Sequence, residues 1–341
     1  MRYAGIDLHK RSLTVCVIDS STGETFDRRF NCSNEAKICD FFTRLKPFEA
    51  VIEASASYEW LWLLLAPVAE RLVLAHPKKL RIIAESMKKS DRHDAYFLAW
   101  LLSLDSIPEA HRPSPRRREY QQLVRHRRFL IQKRSSLRTK VRSILTNRNL
   151  DSKGLFSATG RQYLDGLELP EAERFCVDEF MTMLASLQES LSRTDKALRD
   201  FRKQARQEER EKHAIVTSVP GVGDGTADIV LSSLGDVNRF PTAKKCTAYS
   251  GLVPGFRESD RTRHELQITK EGPRILRWAL VQAAWRAVRL SKYWCATFER
   301  IAKRRGRKKA IVAVARRLLA VIYTLLKSGK HYVEAGPPHA A

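Results

Sequence analysis

Arg2-Tyr3-Ala4-Gly5-Ile6-Asp7-Leu8, His9-Lys10-Arg11-Ser12, Leu13-Thr14-Val15-Cys16-Val17-Ile18: this opening stretch decides how the first third of the chain folds. Apolar residues recur at every second position, the period of a strand, and the polar tetrapeptide between the two runs makes a turn. Ser20-Ser21-Thr22-Gly23 is a second turn signal, so residues 24–30 form a third strand of a meander. A helix follows at 34–45, capped by Ser33 or Asn34. Then come a strand at 49–53, a helix near 58–70, a strand at 71–75 and helical stretches near 78–87 and 91–104. Three antiparallel strands followed by alternating helix and strand predict an α/β sheet with helices packed on it.

Beyond this sheet the pattern changes. His111-Arg112-Pro113-Ser114-Pro115 reads as a linker. From about 116 to 149 there is neither Pro nor Gly, which predicts one long helix. Leu123, Leu130, Leu137 and Ile144 recur at intervals of seven along it. A second rod is expected over 171–212, with Phe180, Leu184, Leu187, Leu191, Thr194, Leu198 and Phe201 alternating spacings of four and three. The simplest arrangement pairs the rods antiparallel, joined by Asp151 to Pro170; two ordinary helices of one bundle fit equally. The last third opens with Val219-Pro220-Gly221-Val222-Gly223, the turn sequence of a helix–hairpin–helix, in which Gly221 and Gly223 let backbone N–H groups approach a phosphate. Helices near 272–291, 293–303 and 308–328 complete an α-helical region. The organisation expected is therefore 1–111 α/β, 112–212 a helical coiled-coil spacer, 213–330 a helical C-terminal domain and 331–341 a frayed tail.

The 341 residues carry 62 Lys/Arg against 38 Asp/Glu, a formal charge of +24. Such an excess favours a polyanionic partner. A membrane is the rival polyanion, but no apolar run approaches the ~20 residues of a spanning helix. The start of the chain lacks a signal-peptide pattern. The six cysteines contain no CxxC pair, which argues against a zinc site or a disulfide framework and favours a reducing cytoplasm. Between Arg112 and Arg148 there are 13 Lys/Arg and one acid, Glu119; between Arg300 and Arg317 there are nine and none. Runs of one sign repel themselves, and a phosphate backbone relieves that. Candidate nucleic-acid contacts are Arg116, Arg117, Arg118, Arg125, Arg127, Arg128, Lys133, Arg134, Arg138 and Lys140 on the first rod. Arg304, Arg305 and Arg307 are candidates near the end of the chain, together with Lys270.

Four carboxylates stand where chemistry is possible. Asp7 ends the first strand and Glu53 ends a later one. Asp91 and Asp94 open a helix three residues apart, on one face. Asp91 could equally be only a helix N-cap, and Asp7 a turn residue. If the four converge, their repulsion calls for hard cations, Mg2+ or Mn2+, and two such ions suit phosphoryl transfer. His9 and His93 flank these acids, as phosphate contacts or as ordinary surface histidines.

Gly5-Ile6-Asp7-Leu8-His9-Lys10, Ile52-Glu53-Ala54-Ser55, His76-Pro77 and Lys89-Ser90-Asp91-Arg92-His93-Asp94-Ala95 resemble the nuclease half of the insertion-sequence family one-ten transposases, to which pilin-gene invertases are related. Thr217 to Gly223, Ala248-Tyr249-Ser250-Gly251-Leu252-Val253-Pro254, and Ile268-Thr269-Lys270-Glu271-Gly272 with Ile275-Leu276-Arg277 resemble the family's other half. The resemblance implies a RuvC-like, ribonuclease-H-like domain with an Asp-Glu-Asp-Asp tetrad, here Asp7, Glu53, Asp91 and Asp94. It also implies a nucleophilic serine, here Ser250, that forms a covalent link to DNA. Further implications are donor and target DNA, a structured guide RNA, a homodimer or homotetramer, and a cytoplasmic, nucleoid-associated setting. The residues by themselves do not single out Ser250, which lacks a neighbouring His or Asp to activate it. Between Leu252 and Ile268 the glycines common in the family are missing, and this segment reads as a loop. Two other readings stand beside this one: a RuvC-like endonuclease or junction resolvase without a covalent intermediate, and a non-catalytic nucleic-acid-binding protein.

Overall fold

The computed structural model describes residues 1–55, 57–83, 90–259 and 262–334. It divides into two compact units, Met1–Arg112 and Pro113–Ala341. The sequence reading separates a spacer at 112–212 from a domain at 213–330; in the structure both lie in the second unit.

The first unit is built on a five-stranded sheet of β1 (Arg2–Leu8), β2 (Ser12–Asp19), β3 (Thr25–Asn31), β4 (Phe48–Glu53) and β5 (Arg71–Ala75), in the order β3-β2-β1-β4-β5. The meander β1-β2-β3 is antiparallel, while β4 runs parallel to β1 and β5 parallel to β4. Alternation assigns the two faces. Ala4, Ile6, Leu8, Val15 and Ile52 form one core with Ile38 and Phe42 of α1 (Glu35–Leu45) and Leu61 and Leu65 of α2 (Tyr58–Leu65). Val51, Val73 and Ala75 form the other with Leu80 of α3 (Pro77–Ile83) and Leu98, Leu101 and Leu102 of α4 (Asp91–Ser103). Helix α2 is shorter than the expected 58–70, because Pro67 has no N–H with which to continue its hydrogen bonds. The helical expectation over 84–87 lies outside the described residues.

In the second unit, α5 (Pro115–Asn147) and α7 (Glu171–Lys203) are rods of 33 residues each, joined through α6 (Ala158–Asp165). They pack antiparallel: Tyr120 stacks on Phe201, Arg127 pairs with Asp195, Arg134 bonds Gln188 and Arg148 pairs with Glu173. On α7 the buried line runs through Leu184, Leu191, Thr194 and Leu198, along the expected seam. On α5 it runs through Val124, Leu130, Val141 and Leu145, so three members of the heptad, Leu123, Leu137 and Ile144, only flank the contact. The second rod ends nine residues earlier than expected. After Lys203 the chain turns, and α8 (Gln207–Thr217) carries Ile215 and Val216 into a separate core.

That core is made with α9 (Asp224–Leu234), α10 (Ala243–Tyr249), α11 (Arg274–Leu290), α12 (Lys292–Arg305) and α13 (Arg307–Ser328). The segment expected to be a loop pairs instead as an antiparallel hairpin, β6 (Pro254–Ser259) with β7 (Thr262–Ile268). Helices α8 and α9 flank the Pro220-Gly221 turn.

Candidate active site

β1 and β4 are parallel neighbours with Ile6 opposite Ile52. One step further along each strand, Asp7 and Glu53 therefore leave the sheet on the same face, the one that α4 covers. What draws α4 down is Gly5. A Cβ there would lie 2.0 Å from the Ala95 carbonyl oxygen and 2.3 Å from the Ala99 nitrogen, so only glycine permits this approach. The first turn of α4 then sits over the carboxyl end of β1. Ser90 is the N-cap, its hydroxyl accepting from the His93 N–H at 3.2 Å. Asp91 is thus released from the capping role that the sequence left open. Arg92 is held by Asp27 of β3 at 2.8 Å, fixing the start of α4.

His9 Nε2 lies 3.1 Å from Asp7 Oδ2 and 3.2 Å from Asp91 Oδ1. The ligand atoms of these three side chains fall within 4.8 Å of one another, the spacing of a metal-binding group. Burial pushes the Asp7 carboxyl above its ordinary range. His9 opposes this, while the charges of Asp91, Asp94 and Glu53 add to it. All four acids therefore act on one point. Asp7 and Asp91 form the tight group; Glu53 and Asp94 stand outside it but close enough for their charge to be felt. Crowded carboxylates with an imidazole between them are a donor set suited to a hard divalent cation.

Two further groups stand at this edge, quoted in the sequence only as motif residues and given no role there. Ser55 Oγ, just beyond β4, and His76 Nδ1, just beyond β5, are buried without a hydrogen-bond partner among the described residues. The carboxyl ends of parallel strands are where α/β sheets bind ligands, and that topological signal could have singled them out.

Ser250 lies in the second unit as the C-cap of α10, fully buried. Its hydroxyl donates to the Thr247 carbonyl at 2.6 Å. The segments around it are interlocked. A Cβ on Gly251 would reach 2.1 Å from the Glu271 carbonyl, and one on Gly272 would reach 1.9 Å from that of Tyr249. Arg277 donates to the carbonyls of Ser250, Glu271 and Gly272 at 3.3, 2.6 and 3.0 Å. The structure thus gathers the motif over 248–254 and the motif over 268–277 around this serine.

The candidate nucleic-acid contacts divide. Several are engaged inside the unit, because the elements packed on the basic α5 supply acids, carbonyls and aromatic rings opposite it. Arg116 pairs with Glu209, Arg127 with Asp195, and Arg134 with Gln188. Arg117 donates to the Ser232 and Ser233 carbonyls, and Arg118 to that of Pro113. Arg128 lies over Trp278 and Arg138 over Phe156. Gly221, with φ 83°, abuts Ala283 and Ala287 of α11, so its lack of a side chain serves helix packing. Gly223 has open space before it. Arg125, Lys133, Lys140, Lys270, Arg304, Arg305 and Arg307 are exposed. Lys133 lies over the Phe129 ring.

An α/β sheet carrying acids at the ends of adjacent parallel strands precedes a helical unit. Comparison with known proteins gives this plan a class. A family model of the IS110 DEDD type, described as "Transposase", matches residues 4–149, and "Transposase IS116/IS110/IS902 family" matches 213–299. The chain is 26% identical to a Coxiella burnetii protein named "Transposase for insertion sequence element IS1111A", over 97% of this chain and 91% of that one. It is 24% identical to a Pseudomonas aeruginosa "Probable family 20 transposase", over 94% and 96%. It is 22% identical to the Moraxella bovis "Pilin gene-inverting protein", over 97% of each. The chain belongs to the IS110 family of transposases. A transposase acts on DNA, and no helix among the described residues is long and apolar enough to cross a membrane.

Proposed function

We propose that this transposase cleaves and exchanges DNA strands with a metal-dependent, RuvC-like tetrad of Asp7, Glu53, Asp91 and Asp94, and that Ser250 carries the cleaved strand as a phosphoserine. The observation that carries the reading is the meeting of Asp7 and Asp91 across His9 at 3.1 and 3.2 Å, at the end of a strand that α4 approaches through Gly5. Magnesium, when bound, supplies charge that stabilises the attacking and leaving oxygens of a phosphoryl transfer.

The chain's own residues do the rest. Asp7, being half-buried and pressed by other acids, gains from a cation beside it. Asp91 presents a second oxygen beside it, and Glu53 and Asp94 flank the pair. His9 places its Nε2 between the two carboxylates, 3.1 Å from Asp7 and 3.2 Å from Asp91. Ser55 and His76, at the same edge, offer unspent polar atoms to a phosphodiester. In the second unit the Ser250 hydroxyl attacks the scissile phosphorus, its proton leaves to solvent, and the 3′ oxygen departs. A hydroxyl from another strand then displaces the serine. Because Ser250 is buried, the knot made by Gly251, Gly272 and Arg277 must open for that attack. A structured RNA pairing with donor and target DNA would supply sequence choice, and a dimer or tetramer would supply the second strand.

The test is covalent trapping. Labelled DNA bearing the element's own ends, incubated with protein and magnesium and then denatured, is expected to stay on the protein through Ser250. Ser250→Ala should abolish the adduct. An adduct that persists in Ser250→Ala, or maps to another residue, overturns the serine assignment.

A further inference from the structure

Helices α5, α7, α8 and α9 of the second unit enclose a cavity of about 690 Å³ that neither site above uses. This is the size of pockets that take small organic ligands. Its apolar wall is made by Tyr120, Phe201 and Leu231. The two rings are stacked, 5.1 Å between centroids and 14° between planes. They are also held from outside: the Arg116 guanidinium lies 4.4 Å over the Phe201 ring and pairs with Glu209, while the Tyr120 hydroxyl donates to buried Asp228 at 2.6 Å. Arg202 bonds the other oxygen of Asp228, also at 2.6 Å. The wall is therefore rigid before any ligand arrives.

The charge around the mouth has one sign to spare. Arg199, Lys203 and Arg210 line the cavity and are exposed, and none makes an ion pair among the described residues. Arg210 uses only its Nε, donating to the Ala205 carbonyl. Of the acids in the lining, Glu209 pairs with Arg116 and Asp236 accepts from the Asn238 N–H but keeps its charge, and cations still outnumber them. An apolar wall beneath a cationic mouth fits a molecule that joins a heteroaromatic ring to a phosphate.

We propose that this cavity receives one unstacked nucleotide of single-stranded DNA, with its base against Tyr120 and Phe201 and its phosphate on Arg199, Lys203 and Arg210. The proposal rests on the reading of the chain as an enzyme that handles opened DNA strands. Stacking of bases on aromatic side chains within a basic groove is the general device for holding single strands.

The experiment uses the full chain and a single strand of about 15 nucleotides carrying one 5-iododeoxyuridine. After irradiation, the cross-link is expected on Tyr120 or Phe201. The variant Arg199→Gln/Lys203→Gln/Arg210→Gln should bind the single strand about tenfold more weakly and duplex nearly unchanged. Cross-links mapping elsewhere overturn the proposal, as does an equal loss of single-strand and duplex affinity. If free 5-iododeoxyuridine monophosphate labels the cavity and the strand does not, the site serves a mononucleotide and the strand assignment fails. If an RNA strand labels it and DNA does not, the DNA assignment fails. A wild-type protein that binds no DNA in either form removes the underlying reading as well, whereas one that binds duplex but leaves the cavity unlabelled removes this proposal alone.

Discussion

Gly5 of β1 lies directly beneath Ala95 of α4, so close that a methyl group on Gly5 would come within 2.0 Å of the Ala95 carbonyl oxygen. The clash is with helix backbone, which cannot swing aside as a side chain would. Gly5→Ala should push α4 off the sheet and carry Asp91 and Asp94 away from Asp7. We expect a loss of about 1–3 kcal/mol in stability, typical of overpacking, together with loss of cleavage. Thermal unfolding and a strand-cleavage assay check both. A variant with normal stability and normal cleavage would show that the close approach does not position the acids.

Asp7 links the site to pH. Its carboxyl is raised by burial, with His9 opposing and the neighbouring acids adding. A raised acid favours the folded state below the ordinary carboxylate range, and that contribution is lost as pH rises through the folded value. At neutral pH without metal, ionised Asp7 therefore costs stability. Asp7→Asn should unfold at a higher temperature than wild type in chelator at pH ~7, and the gap should close toward pH ~4. Magnesium should stabilise wild type and leave Asp7→Asn unmoved. Equal melting of the two proteins in chelator across this range would contradict the crowding of charge at Asp7.

Asp228 behaves in the opposite way. Burial alone would raise its carboxyl, but the His213 ring 3.5 Å away, the hydrogen bond from Tyr120 and the charge of Arg202 hold it below its ordinary value. Such a group stabilises the fold above the unfolded carboxylate range, and the effect is lost as pH falls through the folded value. Asp228→Ala takes the acceptor from the Tyr120 hydroxyl and leaves Arg202 with Asp224 at 3.7 Å, and should cost about 3–5 kcal/mol. Denaturant unfolding at neutral pH measures it, and a loss under 1 kcal/mol would mean that the network is dispensable.

The two groups of basic residues should separate in salt titrations. Replacing exposed Lys140, Arg304 or Arg307 by Gln should lower the slope of log affinity against log salt by ~0.9 for each duplex phosphate that the variant no longer neutralises. Arg127→Gln should leave that slope alone and cost ~0.5–1 kcal/mol of stability, since Arg127 faces Asp195. A slope change for Arg127→Gln equal to that for Lys140→Gln would show that the pairing with Asp195 gives way to DNA.

The sheet and its acids were legible because strands carry a two-residue period and end in recognisable turns: Asp7 and Glu53 could be placed at strand ends from the residues alone. The helix that crosses them was legible, but the reason for its closeness was not. Gly5 reads as a weak point in a strand until Ala95 is seen above it. Long-range partners were the general blind spot. Arg117 and Arg127 read as phosphate ligands because nothing in their own helix neutralises them; their partners, the Ser232 and Ser233 carbonyls and Asp195, lie on other helices. The hairpin over 254–268 was read as a loop because its charged residues mask the alternation. Ser250 could be singled out only by family resemblance, since what surrounds it are backbone carbonyls and Arg277, and neither leaves a mark beside it in the sequence.

In the mechanism proposed above, the acids at the end of β1 and the start of α4 drive strand cleavage. The rate of nicking of DNA carrying the element's ends tests this, with and without magnesium, for wild type, Asp7→Ala and Asp91→Ala, with DNA binding followed in the same samples. Magnesium-dependent nicking is expected of wild type, and none above background of either variant while both still bind DNA. Nicking by Asp7→Ala at the wild-type rate, or wild-type nicking undiminished in chelator, would contradict it.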